Sequence, residues 1–327
     1  MPNPVASDLH IDALLTELSL ARMNQAEDYV ADRAFPIVGV SKQSDKLLEF
    51  DDGFFQASEA TAALRAPGTL AKEIGYKVTT SATYFCQNFA LAHGIPDEDR
   101  GNADAVFDLD MQSTMLVTEA IKILRENAFA TDFMTTGVWT TDKTGTTDLV
   151  KWNDYAASNP IGDIRDGRYT IRTAVGRAAN KIVMGELVWE RLAQHPDLMD
   201  RVKYGASPMN PASVTRQAVA ALLELDEILI GQAVKRSSVE GATVTKARII
   251  DDDALLLFTP QNPSRMTPSA GYTFVWNYFV NGQSLPQVIS KYRDIPGKRR
   301  DVVECSTYFD QKLTMAPAGY FFSDIVD

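Results

Sequence analysis

Residues Met111 to Thr135 keep a helical period throughout, with Val117, Ala120, Ile121, Leu124 and Ala128 recurring at intervals of three and four. Such a stripe must face a core. At ~1.5 Å per residue the helix is a rod of nearly 40 Å, long for a domain of ordinary size. Asp110 is expected to cap its first turn, and Glu119 precedes Lys122 by three residues, a supportive pairing. The rest of the fold has to be arranged along this rod.

A second constraint lies upstream. Ser44 to Phe50 and Gly75 to Phe85, the latter rich in Thr and Tyr, have the character of two strands. Between them come Phe54, Phe55, several alanines and the turn signal Pro67-Gly68. This makes a long hairpin with one weakly apolar face. A two-stranded ribbon is marginal alone in water, so it is expected to lie across its own domain or another copy of the chain. The first 35 residues form an arm: Ile11, Leu14, Leu15, Leu18 and Ala21 follow helical spacing behind Asp8 as a cap, and Pro36 ends the segment.

Beyond the long helix, helices and strands alternate. Helices are expected over Asp166–Asn180 and Glu186–His195, with Lys181–Gly185 a short buried strand between them. Asn210-Pro211 supplies a cap and first-turn proline for a helix ending near Leu225. Strands follow at Asp226–Val234, Thr245–Ile250, Ala254–Phe258 and Gly271–Val280, where Tyr272, Phe274, Trp276 and Tyr278 alternate onto one face. The closing segment from Asp301 contains two more. There is no βαβ repetition and no solenoid period, so the class is α+β.

Composition narrows the function. The net charge of −11 opposes phosphate backbones, which argues against a nucleic-acid reader. The basic run Lys298-Arg299-Arg300 follows Pro296-Gly297 and suggests a solvated loop. No window approaches 18 uncharged apolar residues, and the first residues lack the pattern of a signal peptide. Cys86 and Cys305 are expected to be buried free thiols.

The search for chemistry meets decoys. Asp142-Lys-Thr-Gly-Thr spells the phosphorylated motif of cation pumps, but no membrane helices or Gly-Asp-Gly-x-x-Asn-Asp element accompany it. Asp142 is therefore expected in an exposed loop or hairpin without a metal pocket. Lys143-Thr144-Gly145 lacks the Ser-x-x-Lys of penicillin-binding enzymes. His10, His93 and His195 are dispersed, which disfavours a shared metal site, and His195 at a helix end suits the helix dipole. Asp108-Leu-Asp110 is explained by the cap of the long helix, Asp251-Asp252-Asp253 by an acidic turn, and the aromatic row by a half-buried strand. No catalytic, cofactor or metal residues are assigned.

The phrases "DKLLEFDDGFF", "LRAPGT", "GYKVTTSATYFCQNFALAHGIPDEDRGNAD", "FMTTGVWTTDKTG", "NKIVMGELVWERLAQHPDLMDRVKY" and "MAPAGYFF" resemble, in wording and order, the major capsid proteins of tailed bacteriophages. The similarity runs from about Ala34 to the end. It implies the Hong Kong 97-like fold: an N-arm over 1–35, an extended loop over 40–93, a peripheral domain over 94–178 and 297–327 with a spine helix over 111–135, and an axial domain over 179–296. It further implies a subunit that assembles into hexamers and pentamers of an icosahedral shell around double-stranded DNA, without sequence-specific binding.

Expected partners are other copies of the chain, a separate scaffolding protein, a portal protein and a decoration or cement protein. The separate scaffold, or else assembly guided by the N-terminal helix itself, is inferred because about a hundred residues that serve as a built-in scaffold in many relatives are lacking before the arm. The location would be the virion, after assembly in the host bacterial cytoplasm. Phe54, Phe55, Leu64, Arg65, Tyr76, Lys298, Arg299 and Arg300 are candidate intersubunit contacts. No lysine of the ribbon is marked out for covalent crosslinking. The alternatives are an encapsulin-like shell subunit and a phosphoryl-transfer enzyme using Asp142.

Overall fold

The structure, a computed structural model, describes residues 26–47, 49–50, 64–71, 78–79, 83–102, 108–204, 215–238, 243–263, 267–277, 287–295 and 297–327. The expected helix behind Asp8, together with Phe54, Phe55, Tyr76 and Tyr278, lies outside them.

The long helix spans Leu109–Phe133. Its cap is Asp108 rather than Asp110: the Asp108 side chain accepts from the backbone N–H groups of Asp110 (3.0 Å) and Met111 (3.1 Å). Asp110, one residue into the helix, instead pairs through its carboxylate with Arg100 (2.9 Å) and Lys291 (2.6 Å). The buried side changes along the rod. Val117 and Ile121 pack with Ile95, Val303 and Cys305, whereas Phe129 and Phe133 join the main core.

Among the described residues there are two five-stranded sheets; the long helix packs on the first through Val117 and Ile121 and joins the main core with the second through Phe129 and Phe133. In the first, Arg300–Leu313 is the organising strand. Gln87–Pro96 runs antiparallel along one side of it, Val288–Arg293 along the other, and Gly271–Trp276 pairs with its far end. Ile37–Val40 adds in parallel to Gly271–Trp276. The second sheet runs in the order Asp142–Thr144, Gly319–Ser323, Ala254–Leu257, Lys181–Gly185, Glu227–Gly231. Its inner strands Ala254–Leu257 and Lys181–Gly185 are almost wholly buried, which explains their near-continuous apolar sequence.

The strand at Lys181–Gly185 has the bounds expected of it. The helix before it differs: it spans Pro160–Val175, starting under an Asn159 cap and ending at Gly176 with φ 75°. Proline is tolerated in a first turn and glycine adopts the left-handed ending, so both stop signals lay in the sequence. The helix spanning Arg216–Leu223 starts at a Thr215 cap; Asn210 and Pro211 are outside the described residues. Strand pairing also crosses the expected regions. Gly271–Trp276 and Val288–Arg293 join Arg300–Leu313, while Gly319–Ser323 joins Ala254–Leu257.

The ribbon is anchored at its root. Ser44–Lys46 pairs antiparallel with Thr83–Phe85, and Glu49–Phe50 with Val78–Thr79. Leu47, Tyr84 and Cys86 close over Tyr272 and Phe274, with the Tyr84 and Phe274 rings stacked at 4.6 Å. The alternating aromatic row is thus covered by the ribbon of the same chain. Asp310 holds the return strand by accepting from the Phe85 backbone N–H (2.8 Å).

Candidate intersubunit surfaces

The enzymatic decoys can be judged from their surroundings. Asp142 is not in an exposed loop. It begins the short strand Asp142–Thr144, parallel to Gly319–Ser323, because the chain leaving the long helix is captured at that sheet's edge. One carboxylate oxygen accepts from the Gly137 N–H (2.5 Å), so the side chain closes its own turn. Lys143 reaches toward Asp148 at 3.8 Å. Among the described residues, no group of three or more His, Cys, Asp or Glu side chains could hold a metal ion. None of the described helices is long and apolar enough to cross a membrane.

His195 corrects a second expectation. It is fully buried, and burial pushes its imidazole below the usual value, so it is neutral instead of a cation on a helix dipole. Its Nε2 lies 3.1 Å from the Ser158 hydroxyl, and its Nδ1 accepts from the Asp197 N–H at 3.3 Å. Ser158, His195 and Asp197 therefore match a hydrolytic triad in residue type. The proton runs the wrong way for one. With Nδ1 an acceptor, Nε2 carries the proton and donates it to Ser158, whose hydroxyl donates to the Asp154 carbonyl (2.7 Å). The constellation fastens a loop.

The acidic turn is structural too. Asp253 is pushed up to about 6, mainly by burial, and accepts from the Asp324 N–H at 3.0 Å. Both cysteines are free and buried, and burial raises both thiols, Cys86 to about 12.

What the molecule offers instead is surface with an assembly character. In the first sheet, Val288–Arg293 is exposed at nearly every position, and Gln87–Pro96 is exposed over most of its length. Leu91, Ile289 and Tyr292 stand open to solvent on these strands, and Leu64 and Leu70 on the ribbon are 83% and 96% exposed. Large apolar side chains are thus left open on the two outer strands of the sheet and on the ribbon. At the sheet's outer end, Arg293 bridges Asp97 (2.5 Å) and Asp301 (3.0 Å), and Arg100 bridges Asp110 and Asp301 (3.1 Å). Hydrogen bonding to Arg293 holds Asp97 below its usual range.

The candidate basic run divides within itself. Arg300 donates to Asp294 (2.6 Å) and Lys298 lies 3.7 Å from the same carboxylate, so much of its charge is met internally. Arg299 sits at φ 41° in the turn before the long strand. Arg65, beside the exposed Leu64, is also exposed.

Sequence reading missed the root of the arm. Glu126, 1% exposed on the long helix, accepts from the backbone N–H groups of Val30 (3.1 Å) and Ala31 (2.9 Å). Burial pushes its carboxyl up to about 7 despite those bonds. Arg125 pairs with Asp32 at 2.9 Å, and the Tyr29 hydroxyl donates to Glu119 at 2.5 Å. On its other side the same short segment reaches the second sheet: Arg33 pairs with Glu227, Lys181 donates to the Arg33 carbonyl (2.6 Å), and Gln232 N–H donates to the Asp28 carbonyl (3.2 Å). Residues 28–35 thus bolt the helix to the second sheet. The signal was available in the buried-type spacing of Glu126 with Phe129 and Phe133, but a glutamate there looks like a solvated helix position.

A long helix against an open sheet, a rooted ribbon and a compact second sheet are consistent with the Hong Kong 97-like fold that the sequence resemblance implies. No family model matches the chain. The chain is 25% identical over 316 residues to the major capsid protein of Burkholderia phage BcepMu, covering 96% of each. Among solved structures it is similar to a phage-related protein from Bordetella bronchiseptica (TM-score 0.68, 22% identity, 96% of each chain). It is also similar to a chain of the cyanophage P-SCSP1u capsid (TM-score 0.56, 12% identity, 90% of this chain and 87% of that one). The SrpI encapsulin of Synechococcus elongatus shares the fold as well (TM-score 0.53, 11% identity, 90% of this chain and 86% of that one). From end to end, the chain resembles the major capsid proteins of tailed bacteriophages.

Proposed function

We propose that this chain is a major capsid protein, the repeating subunit of an icosahedral shell that encloses phage double-stranded DNA. The observation that carries this is the full-length likeness to a phage major capsid protein on a fold whose first sheet and ribbon are left open. Its work is mechanical, not catalytic: the decoys at Asp142 and His195 are engaged in closing turns and loops. The acidic balance of −11 repels packed DNA and favours its release over adhesion.

In this reading the arm is 1–35 and the extended loop 40–93, reaching a neighbouring subunit. The peripheral domain takes its spine helix and the first sheet; the axial domain takes the second. Strand pairing supports moving 271–276 and 288–293 to the peripheral side and 319–323 to the axial side of the sequence-based division. Hexamers and pentamers of the chain, a scaffolding protein, a portal and a decoration protein complete the assembly, which forms in the host cytoplasm and ends in the virion. Leu64 and Arg65 on the ribbon are contact residues, as are Phe54, Phe55 and Tyr76, which lie outside the described residues. Lys298, Arg299 and Arg300 lie at the sheet's outer end.

Electron microscopy and sedimentation of the expressed chain, with a co-expressed scaffolding protein, test this. Closed shells or rings containing nucleic acid are expected. Shells filled with an enzyme cargo would favour the encapsulin-like alternative, whose fold is shared. A stable monomer with ATP turnover abolished by Asp142→Asn would overturn both.

A further inference from the structure

The segment Tyr29–Phe35 lies on the long helix in a definite order. Phe35 packs edge-on against Phe133 (4.7 Å between centroids) and Phe129 (5.2 Å). Next toward the helix start, Glu126 receives Val30 and Ala31. Then the Tyr29 ring lies beneath Lys122, whose Nζ is 5.8 Å from its centroid, and the Tyr29 hydroxyl reaches Glu119. Positions 133, 129, 126, 122 and 119 are separated by four, three, four and three residues, so they form one stripe of the helix.

The same stripe continues. Two further steps of four from Glu119 reach Met115 and Met111, and here the cover stops: they are 44% and 55% exposed, with Leu116 on the adjoining face at 44%. On a helix otherwise packed on this stripe, three large apolar side chains are left open. Methionine is the side chain most able to mould itself to a partner.

The sequence that precedes Ala26 contains a matching element. Ile11, Leu14, Leu15 and Leu18, with Ala21, make an apolar row at helical spacing. Residues 11–21 as a helix are ~15 Å long, and the uncovered stretch from Glu119 back to Met111 is ~12 Å. The chain already lies on the stripe at Tyr29 and is led back along it in the direction of Met111.

We propose that residues 11–21 of the same chain dock on Met111, Met115 and Leu116, extending along the long helix the cover that Tyr29–Phe35 begins. The unassembled subunit then keeps its arm parked on its own helix, hiding an apolar surface that would otherwise be free for premature association. This goes beyond the shell reading and concerns the free subunit, so it holds or fails whether or not shells form.

Peroxide oxidation of Met111 and Met115, followed residue by residue by mass spectrometry on the unassembled chain, tests it. Removing residues 2–25 is expected to raise both rates several-fold, and Leu14→Asp with Leu18→Asp in the full-length chain to do the same. Unchanged rates in both variants would overturn the proposal. If the truncated chain does not fold, the double substitution still decides.

Paired cysteines identify whose arm it is. Leu18→Cys and Met115→Cys in one chain should crosslink within it under mild oxidation; Cys86 and Cys305, buried and with raised thiols, do not compete. Crosslinks that form only when the two substitutions are on different, mixed chains would assign the site to a second copy and overturn the same-chain docking. Microscopy of the same samples reads shell formation separately.

Discussion

The two sheets have the same number of strands and opposite relations to solvent. In the second, Ala254–Leu257 is buried at every position, and Phe321, Phe322, Ile182 and Met184 fill the space between sheet and helices. Gly167 lets the helix Pro160–Val175 approach until an added Cβ would meet Leu256 at 3.2 Å and Tyr320 at 3.3 Å. In the first sheet, the long helix covers one face at Val303 and Cys305, and the flanking strands remain open. One sheet is stable through its own packing. The other leaves its flanking strands open to solvent.

The edges of the first sheet differ as well. Val288–Arg293 carries Lys291 and Arg293, charges of the kind that discourage unwanted strand pairing, and both are tied to acidic partners. Gln87–Pro96 carries no Asp, Glu, Lys or Arg. Its ten residues form an edge that a free-standing protein would ordinarily blunt.

Breaking the compact sheet should have the largest effect. Phe322→Ala removes a fully buried ring packed on Trp152 and Tyr320, and is expected to cost about 3–5 kcal/mol in urea unfolding. A loss below ~1 kcal/mol would mean that this sheet also depends on partners.

The bolt between helix and second sheet comes next. Glu126→Ala strips the Val30 and Ala31 N–H groups of their acceptor, with an expected loss of about 1–3 kcal/mol. Glu126→Gln keeps an acceptor oxygen and should lose less.

The same residue predicts a pH dependence with a definite sign. The folded Glu126 carboxyl is raised to about 7 from an ordinary 4.5, so the folded chain holds an extra proton between those values. Its contribution is fully present below the unfolded value and is lost as pH rises through 7. Wild-type stability should therefore fall from pH 5.5 to 8 relative to Glu126→Gln, measured by unfolding at matched ionic strength. A flat difference over that window would show that the hydrogen bonds to the charged form outweigh burial. Asp253, raised to about 6, acts in the same direction at slightly lower pH, in both proteins alike.

The smallest effect on folding belongs to the open sheet. Ile289→Ser, at a site 45% exposed, should change unfolding by no more than ~0.5 kcal/mol. Its expected consequence is poorer assembly, seen as a shift from shells to free subunits in sedimentation. Loss of folding without loss of assembly would reverse the distinction between the sheets.

Much of this fold could be read from the chain because its signals are local. The long helix, the strand Lys181–Gly185 and the paired strands at the ribbon root follow from period and flanking residues. Where reading failed, a competing interaction had taken the residue. Asp110 had the right type for a cap, but Asp108 sat one step better and released Asp110 to bind Arg100 and Lys291. Asp142 had the composition of a loop, yet parallel pairing with Phe321 drew it into a strand. His195 at a helix end invited a dipole argument, until burial and the Asp197 N–H made it a neutral acceptor.

The sequence by itself determined the α+β class, the rod-like helix, the ribbon that cannot stand alone and the absence of a recognisable catalytic motif. These depend on periodicity, turn residues and spacing within a few tens of positions. Only the tertiary structure decided which strands share a sheet, that the aromatic row lies under its own ribbon, and that Glu126 bolts the arm's root to the helix. Each joins residues far apart in sequence, from Glu126 at Val30 to Phe274 at Tyr84. Such contacts arise from burial and hydrogen-bond satisfaction in three dimensions, which no local pattern encodes.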